Sequence, residues 1–277
     1  MRSRLSQLVV GSGRRTARAF GIFLLFYVIF GVILTIGQEA LIYQPSGPTF
    51  GNCPALAQAD TETYGSARMY VQTGERGMVV LYHGNAGSAC QRAVYAERIA
   101  AAGFGFILVE YPGYGGDTVP PSHARMQELV ADVIAYVRSL EPTEVRIIGE
   151  SLGGGVAGLH VQQSPPTSVL LISPFASLRD IARRIYWFYP TAWLVHDPFD
   201  NVQAFAEFSG RVTILHGEND RLIPIDSSQK IYATLTTPHR RFVAVPGADH
   251  NNLFSHSVAW TALTDFLSEE IYDQSDS

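Results

Sequence analysis

The chain has 277 residues, of which 47% are hydrophobic and only 16% are charged, against about 25% charged residues in an average soluble protein. This composition excludes an intrinsically disordered chain and suggests that part of the chain associates with a membrane. The formal net charge of −5, from 20 Lys and Arg against 25 Asp and Glu, provides no general basic field. Nucleic acid is therefore not expected as a partner.

The first predicted element is a transmembrane helix at residues 19–38, preceded by a basic N-terminal tail at residues 1–18. The segment 19–38 has no charged residue and, at about 1.5 Å per residue, spans roughly 30 Å, the thickness of the bilayer hydrocarbon. The tail contains no acidic residue, and the first charge after the span is Glu39. The basic residues of the tail are Arg2, Arg4, Arg14, Arg15 and Arg18. This asymmetry predicts a single-pass protein with a cytoplasmic N-terminus and its remaining residues on the non-cytoplasmic side.

Two other interpretations of this segment are a buried core helix and a cleaved signal peptide. A core helix is rarely apolar on all sides, at the extreme N-terminus and flanked by arginines. A signal peptide has a shorter apolar core of about 7–15 residues that ends at a small-x-small cleavage site. Since no clear A-x-A site follows Ile36, we favour an uncleaved signal anchor.

After a mostly irregular lead-in at residues 39–65, short apolar runs alternate with segments of helical periodicity. Strands are predicted at residues 68–72, 78–82, 106–110, 145–148, 169–172, 212–215 and 242–245. Helices are predicted at residues 91–102, 122–140, 152–163, 227–235 and 256–271. The alternation predicts one α/β domain at residues 66–277 with a doubly wound, mostly parallel sheet and no second domain. Ligands of such a sheet bind at the carboxyl ends of its strands.

A candidate nucleophile lies in the sequence Gly149-Glu150-Ser151-Leu152-Gly153, between a predicted buried strand and a predicted helix. A tight strand-to-helix turn flanked by glycines exposes the serine hydroxyl, which is a poor nucleophile unless a base lies beside it. The same five letters also occur in plain structural turns. Their place between strand and helix favours the nucleophile.

A carboxylate and an imidazole follow later predicted strands. Asp220 comes after the strand at 212–215, and His250 comes after the strand at 242–245. The order Ser151, Asp220, His250 is that of the α/β hydrolases, and it excludes the orders of chymotrypsin and subtilisin. The other candidates for the acid are Asp249, Glu218 and Asp226.

An acyl-transfer site also needs N–H donors directed at the oxyanion. The predicted oxyanion hole consists of the backbone N–H groups of Asn85, in the loop after the strand at 78–82, and of Leu152, next to the nucleophile. His83 in that loop is expected to be a packing residue. Tyr114, in the Gly- and Pro-rich loop after the strand at 106–110, is a candidate for substrate contact, although such loops are commonly only turns.

The motifs HGNAG, EYPGYG, GESLGGG, HGENDRLIP and PGADHN, with LIYQPS after the span, resemble the membrane-anchored α/β-hydrolase-domain serine hydrolases. This family is related to lysophospholipase-like and protein-depalmitoylating members. The resemblance covers residues 41 to 277 and implies an α/β-hydrolase fold and a serine hydrolase of esters or thioesters, many of them lipids, that needs no cofactor. Neither metal ligands nor a cofactor are expected. Ser151 at the nucleophile position argues against the dehalogenase and epoxide hydrolase branches, which use aspartate.

A short helical cap is predicted at residues 174–210, and its aromatic residues include Trp187 and Trp193 as further candidates for substrate contact. The aromatic cluster is interpreted either as packing of the cap or as an acyl-chain groove or bilayer contact. Cys53 and Cys90 are free to pair or to stay reduced, since no spacing rule decides between these states.

The predicted function is hydrolysis of an ester or thioester of a small-molecule or lipid substrate. An amidase or peptidase with the same triad is the alternative enzyme, and a receptor or scaffold on a hydrolase fold is the alternative without catalysis. The sequence is silent on oligomeric state.

Overall fold

The computed structural model describes residues 2–196 and 199–268. Its first helix, α1 (Arg2–Ile36), begins within the predicted tail and ends directly before Gly37, whose φ is −90° and ψ is 7°. The short helix α2 (Gln38–Ile42) follows. The segment Thr16–Ile36 of α1 is long and apolar enough to cross a membrane, and nearly all of it is exposed. The apolar helix is therefore three residues longer at its start than predicted, and it stops before residue 38.

A twisted sheet forms the centre of the protein. Its strands within the described residues are β1 (Asp60–Tyr64), β2 (Ala67–Gln72), β3 (Met78–Tyr82), β4 (Gly105–Glu110), β5 (Val145–Glu150), β6 (Ser168–Ile172), β7 (Arg211–Gly217) and β8 (Arg240–Val245). They lie in the order β1-β2-β4-β3-β5-β6-β7-β8. The pairs β1–β2 and β2–β4 are antiparallel and all later pairs are parallel. The predicted doubly wound, mostly parallel sheet is confirmed.

Strand β1 lies in the segment that we predicted to be irregular. Its sequence DTETY has no apolar alternation, and four of its five residues are exposed. It is an edge strand that pairs with β2 alone, from Asp60 opposite Val71 to Tyr64 opposite Ala67. Because an exposed edge strand needs no buried face, hydrophobic periodicity gives no signal for it.

Helices cover both faces of the sheet. Those after α2 are α3 (Ala93–Ala101), α4 (His123–Ser139), α5 (Leu152–Gln163), α6 (Leu178–Ile185), α7 (Thr191–Leu194), α8 (Asn201–Phe205), α9 (Asp226–Thr234) and α10 (Ser257–Ser268). Alternate residues of β3 belong to two separate apolar cores: Val80 and Tyr82 pack with residues of α4 and α5, while Val79 and Leu81 pack with residues of α3 and α10. The predicted end of the last helix, residue 271, lies outside the described residues.

A disulfide joins Cys53 in the lead-in to Cys90, with the two Cα atoms 5.6 Å apart. Cys90 lies in a 3₁₀ turn (Ala89–Arg92) that directly follows the loop after β3. The bond therefore ties the lead-in to the loop that we predicted to carry the oxyanion donor Asn85. The structure resolves the pairing that the sequence left open.

A buried histidine makes the stability of this fold depend on pH. His160 of α5 accepts a hydrogen bond at Nδ1 from the Tyr82 hydroxyl (2.7 Å), and burial lowers its pKa from 6.5 to about 3. Between these two values the unfolded chain binds a proton that the folded chain does not. We expect the free energy of unfolding to fall as the pH drops below 6.5, by about 2 kcal/mol at pH 5.

Urea unfolding at pH 7.5 and pH 5 measures this loss. His160→Gln, which keeps an acceptor for Tyr82 but does not titrate, should remove that part of the pH dependence. The exposed His239→Gln is the matched control and should unfold like the parent protein at both pH values. An unchanged pH dependence in His160→Gln would contradict the prediction.

Candidate active site

Ser151 lies in a sharp turn between β5 and α5. Its backbone has φ 51° and ψ −111°, in the left-handed region that non-glycine residues rarely adopt. The flanking glycines permit this turn, since a Cβ at Gly153 would lie 2.0 Å from the Tyr82 carbonyl oxygen and one at Gly149 would lie 2.7 Å from the Gly153 carbonyl oxygen. The G-x-S-x-G spacing is thus required by close packing of β3, β5 and α5. The turn holds Ser151 Oγ at the carboxyl edge of the sheet.

Asp220 and His250 reach Ser151 from the loops after β7 and β8, beyond the neighbouring strand β6. Nε2 of His250 lies 3.1 Å from Ser151 Oγ, and Nδ1 of His250 lies 2.6 Å from Asp220 Oδ2. A hydrogen bond from Nδ1–H to the carboxylate leaves Nε2 as the acceptor that faces the serine hydroxyl. The structure brings the three predicted residues together in one chain of hydrogen bonds.

The Asp220 carboxylate is buried but well supplied with donors. Its Oδ1 accepts hydrogen bonds from the backbone N–H groups of Leu222 (2.9 Å) and Ile223 (2.8 Å), and Nε2 of the buried His216 lies 3.3 Å from its Oδ2. Burial alone would raise the pKa of Asp220. The hydrogen bonds from His216, His250 and Ile223 together lower it by more than burial raises it, so the pKa lies well below the usual range. The carboxylate is therefore ionised at neutral pH.

The other candidates for the acid lie elsewhere. Asp249 is exposed, and its Oδ1 accepts from the backbone N–H groups of Asn251 and Asn252, which organises the turn that carries His250. Glu218 is exposed, and Asp226 pairs with Arg184 on the surface. Of the four carboxylates weighed from the sequence, only Asp220 contacts the imidazole.

Of the two residues predicted to supply oxyanion donors, Leu152 directly follows Ser151 and Asn85 lines the same cavity. Leu152 is the first residue of α5, so its N–H has no acceptor within the helix. Asn85 belongs to the loop after β3 and lines the same cavity as Ser151 and Leu152. The Asn85 side chain bonds outward to the segment after the apolar helix: Nδ2 donates to the Ile42 carbonyl, and Oδ1 accepts from Gln44 N–H (2.8 Å).

Tyr114 does not line the cavity at Ser151, which corrects the prediction made from its loop. Its side chain is fully buried, and its hydroxyl donates to Asn85 Oδ1 (2.6 Å) and accepts from Gln44 N–H (3.2 Å). The ring packs edge-on against Tyr111 and His83 under the oxyanion loop. Tyr114 is thus placed to hold Asn85, a contact across 29 residues that the sequence pattern does not reveal.

Tyr114→Phe should therefore lower kcat and leave KM nearly unchanged. The loss of one hydrogen bond to Asn85, worth about 0.5–1.5 kcal/mol, corresponds to roughly a twofold to tenfold lower kcat if Asn85 stabilises the transition state. Steady-state kinetics on a soluble ester separates kcat from KM. Tyr136→Phe, on α4 against Tyr64 of the edge strand β1, is the matched control. A higher KM at unchanged kcat would instead indicate that Tyr114 binds substrate.

The residue directly before the serine forms a contact that sequence inspection missed. Glu150 accepts from Arg92 Nε (2.9 Å) and from Arg92 Nη2, and a Cβ at Gly84 would lie 2.9 Å from Glu150 Oε1. The ion pair thus connects the 3₁₀ turn after the oxyanion loop to the serine turn. No local signal predicts it, because the two residues are 58 positions apart.

An apolar cavity of about 370 Å³ opens at Ser151. Asn85, Ser151 and Leu152 line it, together with residues of α1, α2, the cap and the turn after Asp220. The apolar face of α6 forms one wall with Leu178, Ile181, Ala182 and Ile185, at the helical spacing that the sequence shows. Other lining residues are Leu34, Thr35, Gln38, Leu41, Ile42, Phe175, Tyr186, Tyr189, Thr191, Leu194, Val195, Leu222 and Ile223.

Trp187 and Trp193, which we predicted as substrate contacts, do not line this cavity. Both side chains point outward and are among the most exposed apolar residues of the described chain. Trp193 lies in α7, a helix of only four residues, and Trp187 lies in the segment between α6 and α7, which has no helical periodicity, so the sequence does not show which of these side chains face inward. Tyr186 and Tyr189 are the aromatic residues of this segment that line the cavity.

The α/β hydrolases are defined as a class by a mostly parallel sheet, a serine on a strained strand-to-helix turn, and a carboxylate and an imidazole after later strands of the same sheet. The profile of a family described as serine aminopeptidase, S33 matches residues 73–204. The uncharacterized protein Rv2307c of Mycobacterium tuberculosis is 33% identical over 260 residues, which cover 86% of this chain and 91% of that protein. The chain belongs to the same family as this mycobacterial protein, and its fold is that of the α/β hydrolases.

Two further proteins indicate the range of activities among similar chains. Lysophosphatidylserine lipase ABHD12 of Mus musculus is 29% identical over 186 residues, covering 59% of this chain and 46% of the lipase. The crystal structure of the Paleococcus ferrophilus monoacylglycerol lipase has the same fold, with a TM-score of 0.54 at 19% identity over 71% of this chain and 98% of that one. Both names are those of lipases, whereas the family description names a peptidase.

Proposed function

We propose that this protein is a membrane-anchored serine hydrolase that cleaves the acyl ester or thioester of a lipid through an acyl-enzyme on Ser151. The observation that carries the proposal is the apolar cavity that opens at Ser151 Oγ, beside the His250 and Asp220 side chains. Its volume of about 370 Å³ is within the range of small-ligand pockets, about 300–1,000 Å³.

In the proposed reaction, His250 Nε2 takes the proton of the Ser151 hydroxyl as Oγ forms a bond to the acyl carbon. The N–H groups of Leu152 and Asn85 stabilise the oxyanion, and the protonated imidazole then gives its proton to the departing alcohol or thiol. Water attacks the acyl-enzyme by the same route and releases the carboxylic acid. Asp220 holds Nδ1–H and stabilises the imidazolium that forms in each half-reaction.

The lining of the cavity favours an acyl chain over a peptide. None of the described residues that line it carries a charge, while an aminopeptidase site needs a group that pairs with the substrate ammonium. An uncharged wall binds an alkyl chain by burial alone. The amidase or peptidase interpretation, which the family description keeps open, is therefore the second candidate.

The proposed anchor is the apolar helix Thr16–Ile36, with the N-terminus in the cytoplasm and the catalytic residues on the other side of the membrane. Four arginines, at positions 2, 4, 14 and 15, precede this segment and Arg18 lies in its first turn, which supports this orientation. The Cys53–Cys90 disulfide supports it independently, because such bonds form and persist outside the reducing cytoplasm. Retention in the membrane pellet after alkaline carbonate, with an active C-terminal alkaline phosphatase fusion and a dark fluorescent-protein fusion, tests both parts.

Labelling with a fluorophosphonate, followed by a series of p-nitrophenyl esters of increasing chain length, tests the proposed reaction. We expect labelling at Ser151 and a kcat/KM that rises from acetyl to long acyl esters. Ala182→Phe, which fills the cavity wall on α6, should lower activity on long chains more than on acetyl. The exposed Ala233→Phe on α9 is the control. Faster cleavage of aminoacyl anilides than of any ester would support the peptidase instead.

A further inference from the structure

The cap is attached to the apolar helix at a level far from the end of that helix. The Tyr189 ring stacks on the Tyr27 ring, with centroids 4.3 Å apart and planes 12° apart. The Tyr27 hydroxyl donates to the Phe188 carbonyl (2.7 Å), and the Tyr189 hydroxyl donates to the Tyr27 carbonyl (2.6 Å). Two ring faces and two reciprocal hydrogen bonds thus join the cap to the middle of α1.

A glycine in the apolar helix makes this close approach possible. Gly31 is buried under the Tyr189 ring, and a Cβ at this position would lie 3.0 Å from a ring carbon of Tyr189. At Gly21, earlier in the same span, a Cβ would meet nothing within 4 Å. Of these two glycines of the span, therefore, only Gly31 is packed against the cap.

The position of this contact along α1 sets its depth. With a rise of about 1.5 Å per residue, Tyr27 lies roughly 13 Å along the helix axis from Ile36, the last residue of α1. Half of the bilayer hydrocarbon is about 15 Å thick. A helix that crosses the bilayer, even when tilted, therefore carries Tyr189 below the level of the lipid headgroups.

The part of the cap next to this contact exposes large apolar side chains. Within residues 185–193, which we call the cap tip, Trp187 is 78% exposed and Trp193 is 83% exposed. Ile185 and Phe188 are also exposed. Concentrated apolar exposure marks a binding surface, and tryptophans are enriched where proteins meet the membrane interface. The cap tip is thus apolar on its outside as well as towards the cavity.

We propose that the cap tip is immersed in the acyl region of the non-cytoplasmic leaflet, so that a substrate acyl chain passes from this leaflet into the cavity without crossing water. The cavity wall supports such a passage, because it is shared by Leu34 and Thr35 of the apolar helix and by Ile185 and Tyr189 of the cap tip. The occupant of this surface is the lipid of the membrane that α1 crosses. The inference rests on the membrane anchor of the proposed function.

Tryptophan fluorescence provides the test, because the chain has three tryptophans. Trp187 and Trp193 lie in the cap tip, while Trp260 packs against Tyr95 and Phe254 on the far face of the sheet. The full chain with Ser151→Ala is reconstituted in phosphatidylcholine vesicles and in matched vesicles whose phosphatidylcholine carries bromine on its acyl chains. Variants that retain a single tryptophan are made with Trp→Phe replacements.

The positive control is Phe23→Trp, which places the single tryptophan of the chain in the span. We expect bromolipid to quench the fluorescence of the variants that retain Trp187 or Trp193 as strongly as it quenches that of this control. The variant that retains Trp260 should keep its fluorescence. Gly31→Leu, which places a side chain where the Tyr189 ring packs on α1, should reduce the quenching of Trp187. Gly21→Leu is the matched control and should leave quenching at Trp187 unchanged.

Cap-tip tryptophans that stay bright while Phe23→Trp is quenched would overturn the inference and leave the membrane anchor intact. Failure of Phe23→Trp to be quenched would instead show that the span is not in the bilayer, which contradicts the anchor and with it the immersion of the cap tip. Since Ser151→Ala is inactive under the proposed mechanism, neither result depends on hydrolysis.

Discussion

Ser151→Ala is expected to lower kcat for ester hydrolysis by about 10⁶-fold, since removal of the serine of a catalytic triad removes nearly the whole contribution of that triad. The Oγ atom of Ser151 is the group that lies 3.1 Å from His250 Nε2 and opens to the cavity. Alanine keeps a Cβ and the same backbone preferences, so the turn is expected to persist. Fluorophosphonate labelling should disappear together with turnover.

Ser173→Ala is the matched control for this replacement. Ser173 is buried at the end of the neighbouring strand β6 and also has a positive φ, 46°, but within the described residues its Oγ has no hydrogen-bond partner. Equal melting temperatures for both variants and the parent protein would show that the fold is retained. Wild-type turnover in Ser151→Ala would make the nucleophile assignment wrong.

Asp220→Asn is expected to lower kcat by about 10⁴-fold, the effect measured for the triad acid of a serine protease. The amide has the shape of the carboxylate, but it carries no charge to stabilise the imidazolium of His250. Its NH₂ group also competes to donate to Nδ1, which favours the wrong tautomer of the imidazole. KM should change little, because Asp220 does not line the cavity.

Asp249→Asn and Glu218→Gln are the matched controls. Asp249 is next to His250 in sequence and Glu218 lies in the same loop as Asp220, but both carboxylates are exposed. Both variants should retain most of the activity of the parent protein. A large loss in Asp249→Asn with an active Asp220→Asn would contradict the assignment of the acid. Thermal unfolding of Asp220→Asn separates a loss of catalysis from a loss of fold, because the carboxylate also contacts His216.

The positions of Ser151, Asp220 and His250 could be predicted from the sequence because each depends on short-range signals. An apolar run predicts a buried strand, and the glycines and polar residues after it predict a turn. Since the carboxyl ends of parallel strands meet at one edge of a sheet, three separate local patterns are sufficient to bring the three side chains together. The same reasoning predicted the apolar helix, whose composition alone matches a bilayer.

Only the tertiary structure decided which way the cap residues face and what holds the oxyanion loop. Trp187 and Tyr189 lie in the same irregular segment, yet one faces outward and the other stacks on Tyr27. Tyr114 bonds Asn85 across 29 positions, and Arg92 pairs with Glu150 across 58. These contacts join elements that are far apart in the chain. Neither hydrophobic periodicity nor the spacing of a motif determines in which direction these side chains point. Their geometry depends on how the helices pack on the sheet, and a single sequence contains no local signal for that packing.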